Sequence, residues 1–245
     1  MKFGISNNVR SRVVRECTPE LFHQVTESKQ VADVCAEIAD ALEKVKRGEM
    51  SRDDFDSFKN ERKKALPIFT PHATFKHGRR LNADAVPSGM SMYDIDHISD
   101  PRGYFETNVR ARVDELGVVL AHVTPSAEGL RLFFIVPQGM SLAEAQRWMS
   151  EQLGDKTYDQ SVKDYARSSF VVPTGYIMYV DEGKMFTSPD RQWSLAPLRF
   201  PHRGTETQGG ECLAELDEIG GSATLRKSSS NDVPGGDGIG ESSSE

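Results

Sequence analysis

The sequence predicts an α+β fold: a mixed-sheet α/β domain over residues 68–203, a helical segment over 1–67 before it, and an acidic Gly/Ser-rich tail over 204–245. Three observations lead there. Apolar residues recur with helical spacing in the first third of the chain. After residue 68 they gather into short runs that alternate with amphipathic stretches, and after residue 203 they thin out.

In the first third, VADVCAEIADALEKVKRG places Val31, Val34, Cys35, Ile38, Ala39 and Leu42 at three- and four-residue spacings, one face of a helix ending near Gly48. Ser51 then has the character of an N-cap, with Asp53 and Asp54 in the first turn, where the helix dipole favours negative charge. Pro67 ends this second helix. The basic cluster Arg62, Lys63, Lys64 at its end reads as a solvated helix terminus, with contact to phosphate as the alternative.

From residue 68 the apolar runs predict strands near 68–75, 90–96, 118–124, 130–137 and 168–175, and helices near 101–117 and 141–154. The run LRLFFIV is continuous, as in a central strand covered on both faces. Asp100 before Pro101 has the form of an N-cap with proline at the first helical position.

The formal charge of −7 belongs to the tail, whose nine acidic residues face only Arg226 and Lys227. The other residues are therefore near neutral, and net charge excludes neither a basic groove nor polyanion binding. With no Phe, Tyr, Trp or Met, the tail lacks the apolar surface to offset the entropy of ordering, and we expect it to be disordered apart from a short helix around 212–219. A partner-binding acidic tail is the alternative. Cys17, Cys35 and Cys212 are odd in number and widely spaced, which argues against a disulfide framework or a zinc site. No apolar run reaches membrane-spanning length and the amino terminus lacks a secretory pattern, so the expectation is a cytoplasmic protein without a membrane partner.

The stretch MSMYDIDHISDP carries the chemistry. Asp94 and Asp96 alternate with apolar residues, so an extended segment puts both carboxylates on one face. They repel unless a divalent metal, a pair of cationic side chains, or water lies between them. His97 falls on the opposite face and reads as a packed or surface residue. Further on, TPSAEGLRLFFIV sets Ser126 and Gly129 in a turn and Arg131 at the start of a strand, a combination suited to phosphate oxygens; a plain hairpin turn is the alternative. In GDKTYDQSVKDYARSSF, Asp159 or Asp164 offers a third carboxylate for an oxygen-rich Mg2+ or Mn2+ site; the alternative is a capped turn or a local pair with Arg167.

In order and spacing, these elements resemble the three motifs of the archaeo-eukaryotic primase superfamily, and more closely its primase-polymerase-like domain of the VirE amino-terminal type, over about residues 62–180. The resemblance implies an RRM-like palm with Asp94, Asp96 and Asp159 as catalytic metal ligands, Asp164 being the alternative third. It implies that Ser126, Gly129, Arg131 and Arg167 bind nucleotide. Arg131 stands where many members have a histidine; it can hold a triphosphate at every pH but cannot titrate. The implied function is a two-metal nucleotidyltransferase, a DNA primase or primase-polymerase of mobile elements or phages. Its partners would be a single-stranded DNA template, an NTP or dNTP, and a replicative helicase. A catalytically inactive module that grips single-stranded nucleic acid or a helicase is the alternative. Removing either aspartate of the pair is expected to leave the fold intact.

Overall fold

Three antiparallel sheets and six α-helices make up the described part of the protein, residues 1–155 and 164–187 of a computed structural model. All of these residues belong to one unit, Met1–Arg199, with Phe200–Glu245 a separate unit. Asp159, the expected tail and its short helix lie outside the described residues.

The chain opens with β1 (Gly4–Ser6) and β2 (Arg15–Glu16), then α1 (Pro19–Thr26), α2 (Lys29–Lys46) and α3 (Arg52–Lys63). The amphipathic pattern is realised in α2, which buries Val31, Val34, Cys35, Ile38, Ala41 and Leu42. Ser51 caps α3 by accepting the Asp54 N–H at 3.1 Å. α1 and the first two strands were not legible, because short elements fall below the length at which periodicity speaks.

The single strand expected over 68–75 is two strands, β3 (Ile68–Thr70) and β4 (Ala73–Phe75), in different sheets. Pro71, which has no N–H to donate, stands at the break. β3 lies between β1 and β9 (Ser169–Phe170) in a sheet of order β2-β1-β3-β9, while β4 pairs with β5 (Ala85–Pro87).

The largest contact surface is the sheet β10-β7-β8-β6, built from β6 (Met90–Asp96), β7 (Val118–Val123), β8 (Gly129–Ile135) and β10 (Ile177–Val180). α4 (Pro101–Asn108) connects β6 to β7, and β8 inserts antiparallel between these two parallel strands, a split βαβ unit. Asp100 caps α4 through the Gly103 N–H at 2.9 Å. α4 is shorter than the expected 101–117 because the chain leaves helical geometry at buried Val109, with φ −120°. α5 (Leu142–Leu153) opens on a capping box made by Ser141 and Glu144, and α6 (Glu182–Phe186) follows β10.

This sheet is buried on both faces. One face packs Tyr93, Leu130, Leu132 and Phe134 against Phe105 of α4 and Trp148 and Met149 of α5. The other packs Met92, Leu120 and Phe133 against Phe69 of β3, Phe22 of α1 and the apolar side of α2. The rings of Phe69 and Phe133 meet edge to face with centroids 6.4 Å apart. Each such side chain contributes about 1.5–3 kcal/mol through burial, so the two sheets and the amino-terminal helices share one core. Among the described residues, no helix is long and apolar enough to cross a membrane.

Candidate functional site

The register of the large sheet creates a polar row within its second face. Asp94 of β6 stands opposite Arg131 of β8, Arg131 opposite His122 of β7, and His122 opposite Ile177 of β10. One step along, Asp96 stands opposite Gly129. Strand periodicity puts the two aspartates on one face, as the sequence predicts, and the ladder register adds Arg131 of the neighbouring strand to that face.

Arg131 grips Asp94 with two nitrogens: Nε donates to Oδ1, and Nη2 donates to Oδ2 at 2.8 Å. Its remaining Nη1 donates to Ser169 Oγ of β9 at 3.0 Å, so one guanidinium ties the two sheets together. The planar fork of arginine matches a carboxylate at two points, which a lysine cannot do. His122 is fully buried beside this pair. Burial first, then the Arg131 charge, holds its imidazole down at about 4.

Asp96 is exposed, at the end of β6. Its Oδ1, the Ile95 carbonyl and Thr124 Oγ1 crowd Gly129 so closely that a Cβ there would meet all three at 3.1 Å. Thr124 Oγ1 and Ser126 Oγ are themselves 3.1 Å apart. Position 129 therefore leaves little room for a side chain, and two hydroxyls and a carboxylate converge beside it. The turn is held to α3 by Glu128, which accepts from both terminal nitrogens of Arg52 at 2.6 and 2.8 Å.

Within the basic cluster of α3, the three residues separate by role. Arg62 pairs with Glu37 and Lys64 with Glu61, both at 2.5 Å. Lys63 is half-buried. Burial, then Lys59 and Arg131, push its ammonium down to about 8, against the pull of Asp96 and Glu128. It has no ion-pair partner among the described residues, so it adds an unneutralised positive charge beside Asp96 and Arg131.

A cleft of about 580 Å³ opens at this end of the strands, lined among others by Lys46, Arg52, His97, Ala127 and Glu128. His97 and Ala127, each at φ 59°, are the two described non-glycine residues in the left-handed region, and both face this cleft. Such strain costs about 1–3 kcal/mol per residue and gathers at functional sites.

Asp164 is tied to the outer edge of β6 through its backbone, while both Asp164 and Arg167 are close enough to act on the His72 charge. The Asp164 carbonyl accepts from His72 Nδ1 at 2.8 Å, and His72 Nε2 accepts the Met92 N–H at 3.2 Å. Gln146 donates to the Met92 carbonyl at 2.7 Å and to Ser91 Oγ at 2.8 Å. Side chains thus satisfy the free edge of β6, where an unpaired strand would invite another chain. The Asp164 carboxylate accepts the Ala166 N–H at 2.8 Å, the capped turn offered as the alternative to metal ligation. The proposed third ligand Asp159 falls outside the described residues.

The donor set around Asp96 is hard and oxygen-rich, which fits Mg2+ or Mn2+. Among the described residues, no three His, Cys, Asp or Glu side chains gather to hold a metal by themselves. An ion there would complete its shell with water and phosphate oxygens, as Mg2+ commonly does. Sequence reasoning missed His122, His72, Thr124 and Ser169. His122 alone left a signal, a histidine inside the apolar run VVLAHV.

The BT4734-like, N-terminal domain family matches residues 61–172, somewhat under half of the chain, from the end of α3 to just beyond β9. This corrects the primase-superfamily and VirE-type resemblance, since the matching family is a different one. The motifs behind that resemblance are short, and a strand-turn-strand with paired charges recurs on many scaffolds. No curated protein and no solved structure matches the chain. What this chain is similar to, over the segment that builds the polar row, is the BT4734-like N-terminal domain.

Proposed function

We propose that this domain is a metal-dependent nucleotidyltransferase that extends or starts a primer on single-stranded DNA from nucleoside triphosphates. The observation that carries the reading is the meeting of opposite charges at one sheet face: Asp94, Asp96 and Arg131 on the sheet, with half-buried Lys63 of α3 close enough to feel Asp96 and Arg131. A surface meant only to be solvated would not hold a lysine half-buried without a partner. A triphosphate is the anion such a site fits, because it neutralises Lys63 and offers oxygens to a cation held by the carboxylates.

A bound Mg2+ or Mn2+ would activate the attacking hydroxyl and neutralise charge on the triphosphate. The chain's own residues do the rest. Asp96 supplies the exposed carboxylate, with the Thr124 and Ser126 hydroxyls beside it. Arg131 fixes the orientation of Asp94. Lys63 holds phosphate oxygens and draws negative charge toward the row. The split βαβ sheet, with two helices on its far face, supports a palm-like platform for this arrangement.

A second reading is a binding module without synthesis, and one observation favours it: Asp94 is already neutralised by Arg131. Incorporation of labelled nucleotide on single-stranded DNA separates the two, since only the first reading yields product. A helicase partner rests on the corrected resemblance alone and is not carried further.

A further inference from the structure

Two stretches remote in sequence, 9–15 and 76–80, are laced into a single exposed face. Val14 N–H donates to the Gly78 carbonyl at 2.8 Å, and Arg80 N–H to the Arg12 carbonyl at 2.9 Å. The Arg80 guanidinium donates to the Val9 carbonyl at 2.6 Å, and Val13 and Arg79 form an antiparallel bridge. Together the stretches carry Arg10, Arg12, Arg15, Lys76, Arg79 and Arg80 and contain no acidic residue.

The charge is offset only in part: Asp164 acts on Arg80, and Glu16 beside Arg15 is paired with Lys2. Arg10 reaches Glu61 at 3.7 Å, an exposed contact worth little, and neighbouring Asp84 sits 4.0 Å from His77. Arg12, Arg15, Lys76 and Arg79 are exposed and have no ion-pair partner among the described residues. Cations clustered this way repel one another, and that repulsion is relieved when a polyanion binds. Among them stand Val13, 70 % exposed, and Leu81, 43 % exposed, the two most exposed large apolar residues of the described chain. A duplex hides the faces of its bases, whereas a single strand can lay them on apolar side chains while its phosphates meet the arginines.

The face is linked through residues 164–166 to the outer edge of β6, the strand that carries the aspartates. Asn82 Oδ1 accepts the Ala166 N–H at 3.0 Å, and Tyr165 and Ala166 pack on Val14, Ala73 and Phe75. Asp164, just before them, is bonded through His72 to β6, two residues from Asp94. We propose that the face built from 9–15 and 76–80 grips the phosphate backbone of a single-stranded nucleic acid and leads it toward the polar row. Its role as a template grip rests on the function proposed above; the binding itself does not.

The test is fluorescence anisotropy of a labelled oligothymidylate with the full chain across a potassium chloride series, without nucleotide or divalent metal. The variant combines Arg12→Ala, Arg15→Ala, Lys76→Ala and Arg79→Ala, all exposed, and its melting temperature should match the wild type. Each lost phosphate contact lowers the salt slope by about 0.7, so the slope should be shallower by about 3 and low-salt affinity about tenfold weaker or more. Val13→Ser with Leu81→Ser should weaken binding while leaving the slope unchanged. Wild-type affinity and slope in the quadruple variant, absence of binding by the wild type, or equally tight binding of a blunt duplex would each overturn the proposal. Loss of grip in the variant beside a wild type inert in synthesis leaves the face standing and removes the catalytic reading. Unaltered grip beside an active wild type does the reverse.

Discussion

Asp94 and Arg131 face each other across the β6–β8 ladder and close a two-point ion pair, their side chains only 7 % and 14 % exposed. The repulsion between the two aspartates is thus relieved at Asp94 by a guanidinium, while Asp96 stays open to solvent. This changes the expectation that either aspartate can be removed without cost. Asp94→Ala strands a buried guanidinium and should destabilise the protein by about 3–5 kcal/mol, whereas exposed Asp96→Ala should cost about 0.5 kcal/mol or less. Replacing both partners, Asp94→Leu with Arg131→Met, should cost less than Asp94→Ala alone, because no charge is left unpaired. Urea unfolding of the four proteins checks the series; an Asp94→Ala protein as stable as wild type would remove the pair from the account.

His122 makes stability depend on pH. Its folded value is held at about 4 by burial and by Arg131, below the usual ~6.5 of an unfolded chain. Between these values the unfolded chain binds a proton that the folded one does not. Stability is therefore full above about pH 6.5 and falls by about 3 kcal/mol as pH drops toward 4. His72, lowered in the same direction by burial, adds to the trend. His122→Asn should flatten the pH dependence of unfolding between 4 and 6.5, and equal slopes in the two proteins would refute this assignment.

Gly129 is held by space and not by a left-handed backbone. A Cβ would press on the Ile95 carbonyl, which cannot move without opening the β6–β8 ladder, and on Asp96 and Thr124. Gly129→Ala should cost about 1–3 kcal/mol, in the range of overpacked substitutions. It should also shift Asp96, so divalent-metal affinity should fall with stability. A fully stable Gly129→Ala protein would show that the turn yields more than its geometry suggests.

Lys63 should act on the nucleotide and not on the fold. A charged hydrogen bond to phosphate contributes about 1.5–3 kcal/mol, so Lys63→Gln should weaken triphosphate affinity roughly tenfold to a hundredfold. Relieving its burial and its repulsion from Lys59 and Arg131 should leave the melting temperature level or slightly raised. Calorimetric titration with a non-hydrolysable triphosphate reads the first effect, and an unchanged affinity would assign Lys63 to packing alone.

The sequence carried the long elements and the facing of the site, for reasons that lie in particular residues. α2 was readable because six of its buried residues fall on one stripe, and the capped starts of α3 and α4 because Ser51 and Asp100 carry local chemistry. Asp94 and Asp96 share a face by strand period alone. The ladder register that sets Arg131 against Asp94 is a long-range relation that no local pattern encodes, and so is the partial burial of Lys63 within a run of three cations. The lacing of 9–15 onto 76–80 joins stretches some sixty residues apart through backbone bonds, to which side-chain pattern is blind.

Nucleotide transfer at the face bearing Asp94, Asp96 and Arg131, with Lys63 of α3 beside it, is tested most directly by Asp96→Asn, because this exposed residue can change without loss of fold. The measurement is incorporation of radiolabelled NTPs and dNTPs on single-stranded DNA, with Mg2+ and with Mn2+, by wild type and variant side by side. The account predicts product from the wild type and a fall of about a hundredfold or more in the variant at unchanged stability, as when a group that stabilises transition-state charge is lost. A wild type without product under any of these conditions, or an Asp96→Asn protein of undiminished activity, would contradict it.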